Sequence, residues 1–305
     1  MEQPNHLLVV VDPTVTGRQS AVDKALILAR PLGATVELLL CDMAREGGDG
    51  AGRPGEPQGS LAQHQDLLEA LAVLFRERHT EVSTRVAYGD SLHRAILDYV
   101  RQSNATMVIK DTHHHSLARR TFLRNTDWHL AHGSPVPLLL TKNNEWCATP
   151  VIMAAIEPDP SKKSVTALNR KILSCATSLA ACMSGDLHVI HTYIPTALAA
   201  ASGAEPLRMT ADLAGSLECE TSFRLGQLQS LARLYGVPPA RLHVQPGAPE
   251  HRIVDLVSQY KADVIVIGAS SHGRWHRMII GSTASSVLES LTCDILVVRP
   301  DPIRD

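Results

Sequence analysis

Hydrophobic residues along the chain fall into short runs that alternate with amphipathic segments. The runs "HLLVVVDP" (6–13) and "ATVELLLCDM" (34–43) are rich in Val and Leu, which predicts strands buried on both faces. Segments of helical periodicity, at about 19–32 and 61–78, carry apolar residues every three to four positions. Strands that alternate with helices predict a parallel sheet covered by helices on both faces.

The same order of elements occurs a second time, beginning at "PVIMAAIEP" (150–158). Gly89 and Gly247 are separated by 158 positions, and so are Lys110 and Gly268, which indicates an internal repeat. We therefore expect two five-stranded α/β domains, 1–143 and 150–305. Further strands are predicted at 81–89, 105–110, 136–142, 186–193, 241–247, 263–268 and 293–300.

Composition narrows the classes of protein to which the chain can belong. The formal net charge is −2 and aromatic residues make up 4% of the 305 residues, so a nucleic-acid-binding surface is not expected. We expect no signal peptide and no membrane span, because no run of 18 apolar residues occurs. The six cysteines form no C-x-x-C pair, which favours reduced thiols in a cytoplasmic protein over disulfides or zinc ligands.

Candidate ligand-binding residues follow the first and fourth strands of the second half. In open α/β sheets, ligands bind beyond the carboxyl ends of the strands, where Glu157 and Gly268 are expected. A helix predicted to begin at Gly281 would direct its N–H groups at an anion, helped by the Ser282 and Thr283 hydroxyls. On this pattern alone, an ordinary helix N-cap explains Gly281 to Thr283 equally well.

These features resemble the universal stress protein family, whose members have a strand ending in an acid and a loop spaced G-x₂-G-x₉-G-[ST]. The stretch "VIVIGASSHGRWHRMIIGST" (264–283) carries that loop, and "NTDWHLAHGSPVPLLLTK" (125–142) with "CDILVVRP" (293–300) resembles tandem, E-type bacterial members. The resemblance covers essentially the whole chain. It implies two Rossmann-like domains of the adenine nucleotide alpha hydrolase type, with strand order 3-2-1-4-5, packed as a pseudo-twofold pair.

The resemblance also implies site residues and a ligand. Some members of the family bind ATP and others do not, so it implies ATP, with Mg²⁺ if ATP is bound, or no cofactor. Ser271 stands where the family's second loop glycine is expected, with a glycine displaced to Gly273, which predicts an altered nucleotide site. The implied nucleotide-binding residues are Glu157, Thr192, Gly268, Ser271, Gly273, Gly281, Ser282 and Thr283.

The first half departs further from the family pattern. Asp12 keeps the acid, but the three loop positions become Lys110, His113 and Arg124-Asn125. We hypothesise a degenerate site in which Lys110 pairs with Asp12 and fills the crevice in place of a ligand.

Other motifs are better explained without catalysis or a metal. The triplet "HHH" (113–115) lacks partners at ligand spacing, so solvated loop histidines are favoured over a metal site. No G-x-S-x-G elbow accompanies the Asp and His of "TDWH" (126–129), so no nucleophilic triad is expected. The basic loop "GRWHR" (273–277) fits phosphate contact and plain solvation equally well. No positioned general base is visible, so we expect no robust catalysis, although slow ATP hydrolysis is conceivable.

Three functions remain open from the sequence. The leading one is a cytoplasmic stress-response protein that binds ATP or another nucleotide-bearing metabolite in its second domain. The second is a ligand-free interaction module with both sites vestigial and with protein partners that the sequence does not identify. The third is a binder of an apolar or amphiphilic ligand beneath the Ala-rich segment 196–215. The last strands of the two halves are expected to pair with each other, and a homodimer is a further option.

Overall fold

The computed structural model describes residues 5–15, 17–43, 61–112, 126–158, 163–196, 211–269 and 290–300. The chain forms two compact units: unit 1 is Met1–Asn144 with Asp294–Arg299, and unit 2 is Glu145–Cys293 with Pro300–Asp305. No helix among the described residues is both long and apolar enough to cross a membrane.

Unit 1 is an α/β layer structure whose strands lie in the order β3-β2-β1-β4-β5-β10. Its first five strands are parallel, and β10 runs antiparallel to β5. The strands are β1 (His6–Val11), β2 (Thr35–Met43), β3 (Val82–Gly89), β4 (Met107–Asp111), β5 (Leu138–Thr141) and β10 (Asp294–Val298). The helices are α1 (Ser20–Ala29), α2 (Leu61–Arg76), α3 (Leu92–Gln102) and the helical stretch 126–133, here α4.

Unit 2 repeats the β3-β2-β1-β4 part of this order with the parallel strands β8-β7-β6-β9. Its strands are β6 (Val151–Ala155), β7 (Asp186–Tyr193), β8 (Leu242–Pro246) and β9 (Val264–Gly268). Its helices are α5 (Lys163–Cys182), α6 (Ala211–Ala232) and α7 (Pro249–Gln259), with short 3₁₀ turns at Arg233–Tyr235 and Pro239–Arg241. The α/β class is confirmed, and the strand orders fit the expected 3-2-1-4-5.

The strands are central because their residues are apolar on both faces. All five residues of β9 are buried, as are Leu7 to Val11 of β1. Continuous burial of this kind requires helices on both sides of the sheet. Pro249 occupies the first turn of α7, where its missing N–H has no helical partner to lose. Ser91 holds the N-cap position of α3, but its hydroxyl bonds His93 Nδ1 instead of capping the helix.

Equivalent hydrogen bonds at the start of the strands fix which residues of the two units correspond. The N–H of His6 donates to Thr106 Oγ1, and the N–H of Val151 donates to Asp263 Oδ2. Thr106 and Asp263 each precede a five-residue strand, β4 and β9. The last residues of those strands, Asp111 and Gly268, therefore correspond, and Lys110 corresponds to Ile267. The expected spacing of 158 is wrong by one at this strand, since 268 minus 111 is 157.

A pair of histidines bridges β7 and β8 in unit 2. His188 Nδ1 and His243 Nε2 lie 2.9 Å apart, and the Tyr260 ring packs against both imidazoles. Burial, followed by the neighbouring His188, lowers the pKa of His243 from 6.5 to about 4. Burial and then the charge of Arg241 lower the pKa of His188 as well. Both rings are therefore neutral at neutral pH, as expected for a histidine satisfied within a strand.

This pair predicts a loss of stability in mild acid. The folded-state pKa of His243 lies below its unfolded value, so its contribution is complete above pH 6.5 and is lost as the pH falls towards about 4. The difference corresponds to at most about 3 kcal/mol of unfolding free energy. The free energy of unfolding, measured by urea denaturation between these pH values, should fall less steeply with decreasing pH in His243→Gln than in the parent protein. The exposed His251 is the matched control, and an equal change in His251→Gln would contradict the assignment.

Candidate functional site

The candidate site of unit 2 lies at the carboxyl ends of β6, β7 and β9. The register pairs Ala155 with Ile190, and the N–H of Ile156 donates to the Ile190 carbonyl. Continuing this register brings Glu157 and Thr192 to neighbouring positions on the same edge. β6 lies between β7 and β9, so this is the point at which the strand order reverses and where open α/β sheets bind ligands.

The backbone of Glu157 is clamped by a side chain of α5. Asn169, itself buried, accepts a hydrogen bond from the Glu157 N–H at 3.3 Å and donates to the Glu157 carbonyl at 2.5 Å. Both backbone polar groups of this residue are therefore fixed from one amide. The clamp sets the point from which the Glu157 carboxylate projects, which the sequence pattern did not reveal.

A second side chain holds the residue before Glu157. The buried His191 places Nδ1 3.0 Å from the carbonyl oxygen of Ile156. Arg224 of α6 lies on the other side of this imidazole, with Nη1 3.5 Å from Nε2. Arg224 also stacks on the Tyr193 ring, 4.2 Å from its centroid. The end of β6 is therefore held from β7 and α6 as well as from α5.

Thr192 carries a buried hydroxyl that lacks a hydrogen-bond partner in the part of the chain that the structure describes. The residue is 7% exposed. An unpaired buried hydroxyl is uncommon in native proteins and costs roughly 1–3 kcal/mol. A ligand group that reached this hydroxyl would relieve that cost.

Close packing of a helix explains why residue 268 has no side chain. A Cβ added there would lie 2.7 Å from Leu168 Cδ2 and 3.0 Å from Ile172 Cδ1, both on α5. The absent side chain thus allows α5 to lie close against β9. Because α5 also carries Asn169, this close packing positions the clamp on Glu157.

The remaining loop positions implied by the family resemblance are Ser271, Gly273, Gly281, Ser282 and Thr283, and they lie outside the described residues. So do the basic loop 273–277 and the histidines 113–115. The segment 196–215, considered as a lid for an apolar ligand, is described only at Thr196 and from residue 211.

Unit 1 places Asp12 where unit 2 places Glu157, and it repeats the backbone clamp. The Asp12 N–H donates to Gln19 Oε1, and Gln19 Nε2 donates to the Asp12 carbonyl, both at 3.0 Å. The Asp12 carboxylate turns to Thr14, accepting from its N–H and its hydroxyl at 2.7 Å.

The expected ion pair between Lys110 and Asp12 is wrong. Lys110 Nζ instead lies 2.8 Å from Asp127 Oδ1 on α4 and donates to the Asp111 carbonyl at 2.7 Å. Lys110 is 5% exposed. The error follows from the topology, because the side chain of Lys110 points towards α4, on the sheet face away from α1. Internal pairing of this lysine is correct, but its partner was misassigned.

Asp111 fills the position that Gly268 holds in unit 2. Its Oδ1 accepts from the N–H of Ala21, at the start of α1, at 2.6 Å and from Thr141 Oγ1 at 2.5 Å. The carboxylate is 5% exposed. A fixed negative charge thus occupies a helix N-terminus, the kind of place at which a bound anion would otherwise be stabilised.

A further buried pair at this edge was missed by sequence reasoning. Asp42 Oδ2 lies 3.5 Å from His64 Nδ1, with both side chains almost fully buried. Asp42 and Tyr193 correspond, because Thr35 and Asp186 begin β2 and β7 in the same register. The sequence signal that could have revealed this pair was the acid Asp42 near the end of β2. Among the described residues, no three His, Cys, Asp or Glu side chains are grouped so as to hold a metal ion.

Comparison with known proteins identifies the family. The model of the universal stress protein family matches residues 4–142 and again 152–299. The chain belongs to the universal stress protein family. The two matches confirm the internal repeat and the tandem universal stress protein arrangement that the family resemblance implied.

Individual relatives span nearly the whole chain. Universal stress protein E of Escherichia coli K12 is 24% identical over 315 aligned positions, covering 99% of this chain and 96% of the relative. The crystal structure of a functionally unknown protein from Pseudomonas aeruginosa PAO1 superposes with a TM-score of 0.74 at 25% identity, covering 98% and 94% of the two chains. A universal stress protein from Archaeoglobus fulgidus shares the fold with a TM-score of 0.66 at 17% identity, covering 98% and 97%.

Membership in the universal stress protein family supports a role in the stress response. Proteins of this family are in general not catalytic enzymes, which supports a non-enzymatic role at the family level.

Proposed function

We propose that unit 2 binds a nucleotide, ATP or another nucleotide-bearing metabolite, and that the chain acts in the stress response through this binding and without robust catalysis. The observation that carries the proposal is the preorganised acid at the switch point of the sheet. Side-chain hydrogen bonds from two elements fix the backbone at Ile156 and Glu157. A carboxylate that projects from a backbone held in this way suits the hydroxyls of a ribose or the exocyclic amine of a base.

The neighbouring residues fit the same ligand. The Thr192 hydroxyl is buried beside Glu157 and has no hydrogen-bond partner among the described residues, so it offers a donor and an acceptor to a base or sugar. Gly268 adds no side chain at the end of β9. The loop that follows it carries the glycines and hydroxyls that the family resemblance assigns to the phosphates.

The equivalent edge of unit 1 carries residues that would disfavour a nucleotide, which supports placing the nucleotide in unit 2. That edge carries Asp111 where unit 2 has Gly268, and Asp42 where unit 2 has Tyr193. These buried carboxylates would repel a phosphate chain. Lys110, at the end of β4, is already paired with Asp127. We propose that unit 1 binds no nucleotide and that the chain therefore takes up one.

Isothermal titration with Mg-ATP tests the proposal at Glu157. Glu157→Ala should weaken binding roughly tenfold to a hundredfold, the usual effect of removing one charge-assisted hydrogen bond. Asp12→Ala, at the equivalent position of unit 1, is the matched control and should leave the affinity unchanged. Equal losses in both variants, or no heat at millimolar ATP with the parent protein, would overturn it.

A further inference from the structure

Unit 2 contains a continuous chain of polar contacts that runs from α6 through β7 to the end of β6. Glu220 accepts from the N–H of Thr196 at 3.1 Å and from its hydroxyl at 3.2 Å. The same carboxylate accepts from Arg224 Nη2 at 2.7 Å and from Nε at 3.2 Å. Arg224 then faces His191, and His191 bonds the carbonyl of Ile156. The chain ends at the residue that precedes Glu157.

Ile156 and Arg224, two neighbours of His191 among the described residues, favour one tautomer of its imidazole. The Ile156 carbonyl can only accept a hydrogen bond, so the His191 Nδ1 atom at 3.0 Å must carry the proton. The Arg224 guanidinium can only donate, so Nε2 must present its lone pair towards Nη1 at 3.5 Å. His191 is 3% exposed, so water does not readily replace either neighbour.

Arg224 is itself held in place, which allows it to act as a fixed charge. Its guanidinium makes two hydrogen bonds to one oxygen of Glu220 and stacks on the Tyr193 ring at 4.2 Å. A guanidinium restrained on two sides retains little freedom to leave the imidazole. The arrangement is local to unit 2, because Leu40 stands in unit 1 where His191 stands in unit 2, by the register of β2 and β7.

We propose that Arg224 and His191 are positioning residues of the nucleotide site. Arg224 keeps His191 neutral with its proton on Nδ1, and His191 holds the end of β6 so that the Glu157 carboxylate meets the ligand. This inference rests on the proposed function of unit 2. It adds two residues, one on β7 and one on α6, that position the Glu157 carboxylate without contacting the ligand.

Three variants test the role of the imidazole and its partner. His191→Leu installs the residue of unit 1 and removes the donor, so it should weaken Mg-ATP binding roughly tenfold. His191→Asn places an amide N–H near the position of Nδ1 and should restore most of the affinity. Arg224→Met should weaken binding to a similar extent, whereas Arg252→Met, which removes an exposed arginine of α7, should not.

Nitrogen NMR of the imidazole separates this inference from the proposed function. The parent protein should show His191 as the neutral Nδ1–H tautomer without any ligand, and Arg224→Met should show exchange with the Nε2–H or the protonated form. Parent affinity in His191→Leu, or an Nε2–H tautomer in the parent, would overturn the inference. Absence of ATP binding by the parent, with the Nδ1–H tautomer observed, would instead refute the proposed function.

Discussion

Asp294→Ala is expected to lower the free energy of unfolding of unit 1 by about 3–5 kcal/mol. Asp294 is fully buried on β10 and lies 3.6 Å from Nζ of Lys24, which is 2% exposed on α1. The carboxylate also accepts from the Lys142 N–H at 2.7 Å. Its removal takes the Asp294 carboxylate away from the buried Lys24 ammonium, although the Asn144 carbonyl still accepts from that ammonium at 2.6 Å.

Urea denaturation monitored by circular dichroism measures this loss of unfolding free energy. The exposed Asp255→Ala, which breaks a surface pair with Arg252, is the control and should change stability by no more than about 0.5 kcal/mol. Lys24→Met combined with Asp294→Leu should recover most of the lost stability, because an apolar pair leaves no buried charge that needs a partner. A double variant as unstable as Asp294→Ala would show that the backbone contacts of Asp294, and not its charge, hold this region.

Gly268→Ala is expected to destabilise unit 2 by about 1–3 kcal/mol and to reduce nucleotide binding. The new methyl group would lie 2.7 Å from Leu168 Cδ2 and 3.0 Å from Ile172 Cδ1, so α5 must shift or its side chains must change rotamer. Asn169, the clamp on Glu157, follows Leu168 on that helix and would move with it.

Thermal unfolding and titration with Mg-ATP measure the two effects of this substitution. Adding Leu168→Ala to Gly268→Ala should relieve the steric conflict and return part of the affinity. Gly226→Ala is the control, because no atom lies within 4 Å of its added Cβ, and it should gain roughly 0.5–1 kcal/mol from helix propensity. If Gly268→Ala bound ATP as the parent does and was equally stable, close packing at this position would be unimportant.

The alternation of apolar runs and amphipathic segments predicted the layers and the strand positions. β7 was expected at 186–193 and occurs there, because four of its eight residues are Leu, Val, Ile or Tyr and are interspersed with polar positions. The order of the strands followed from the family resemblance. Helix and strand ends differed by one to three residues elsewhere, for example at α1, which ends at Ala29 instead of 32.

The contents of the two crevices were harder to predict. Strand β4 was aligned one residue out of register, so Lys110 was matched with Gly268 and the role of Asp111 was missed. The polar residues Thr106 and Asp263, each just before an apolar run, mark the correct spacing. The partners Asp127, Asn169 and Arg224 come from helices whose rotation about the sheet is set by packing, which no local pattern in one sequence specifies.

The central claim is that a single nucleotide binds in unit 2, and native mass spectrometry of the intact chain tests it most directly. With Mg-ATP added, the parent protein and Asp12→Ala should each carry one nucleotide, and Glu157→Ala should carry far less at the same concentration. Two nucleotides on the parent, or an adduct that Asp12→Ala removes and Glu157→Ala retains, would contradict the claim.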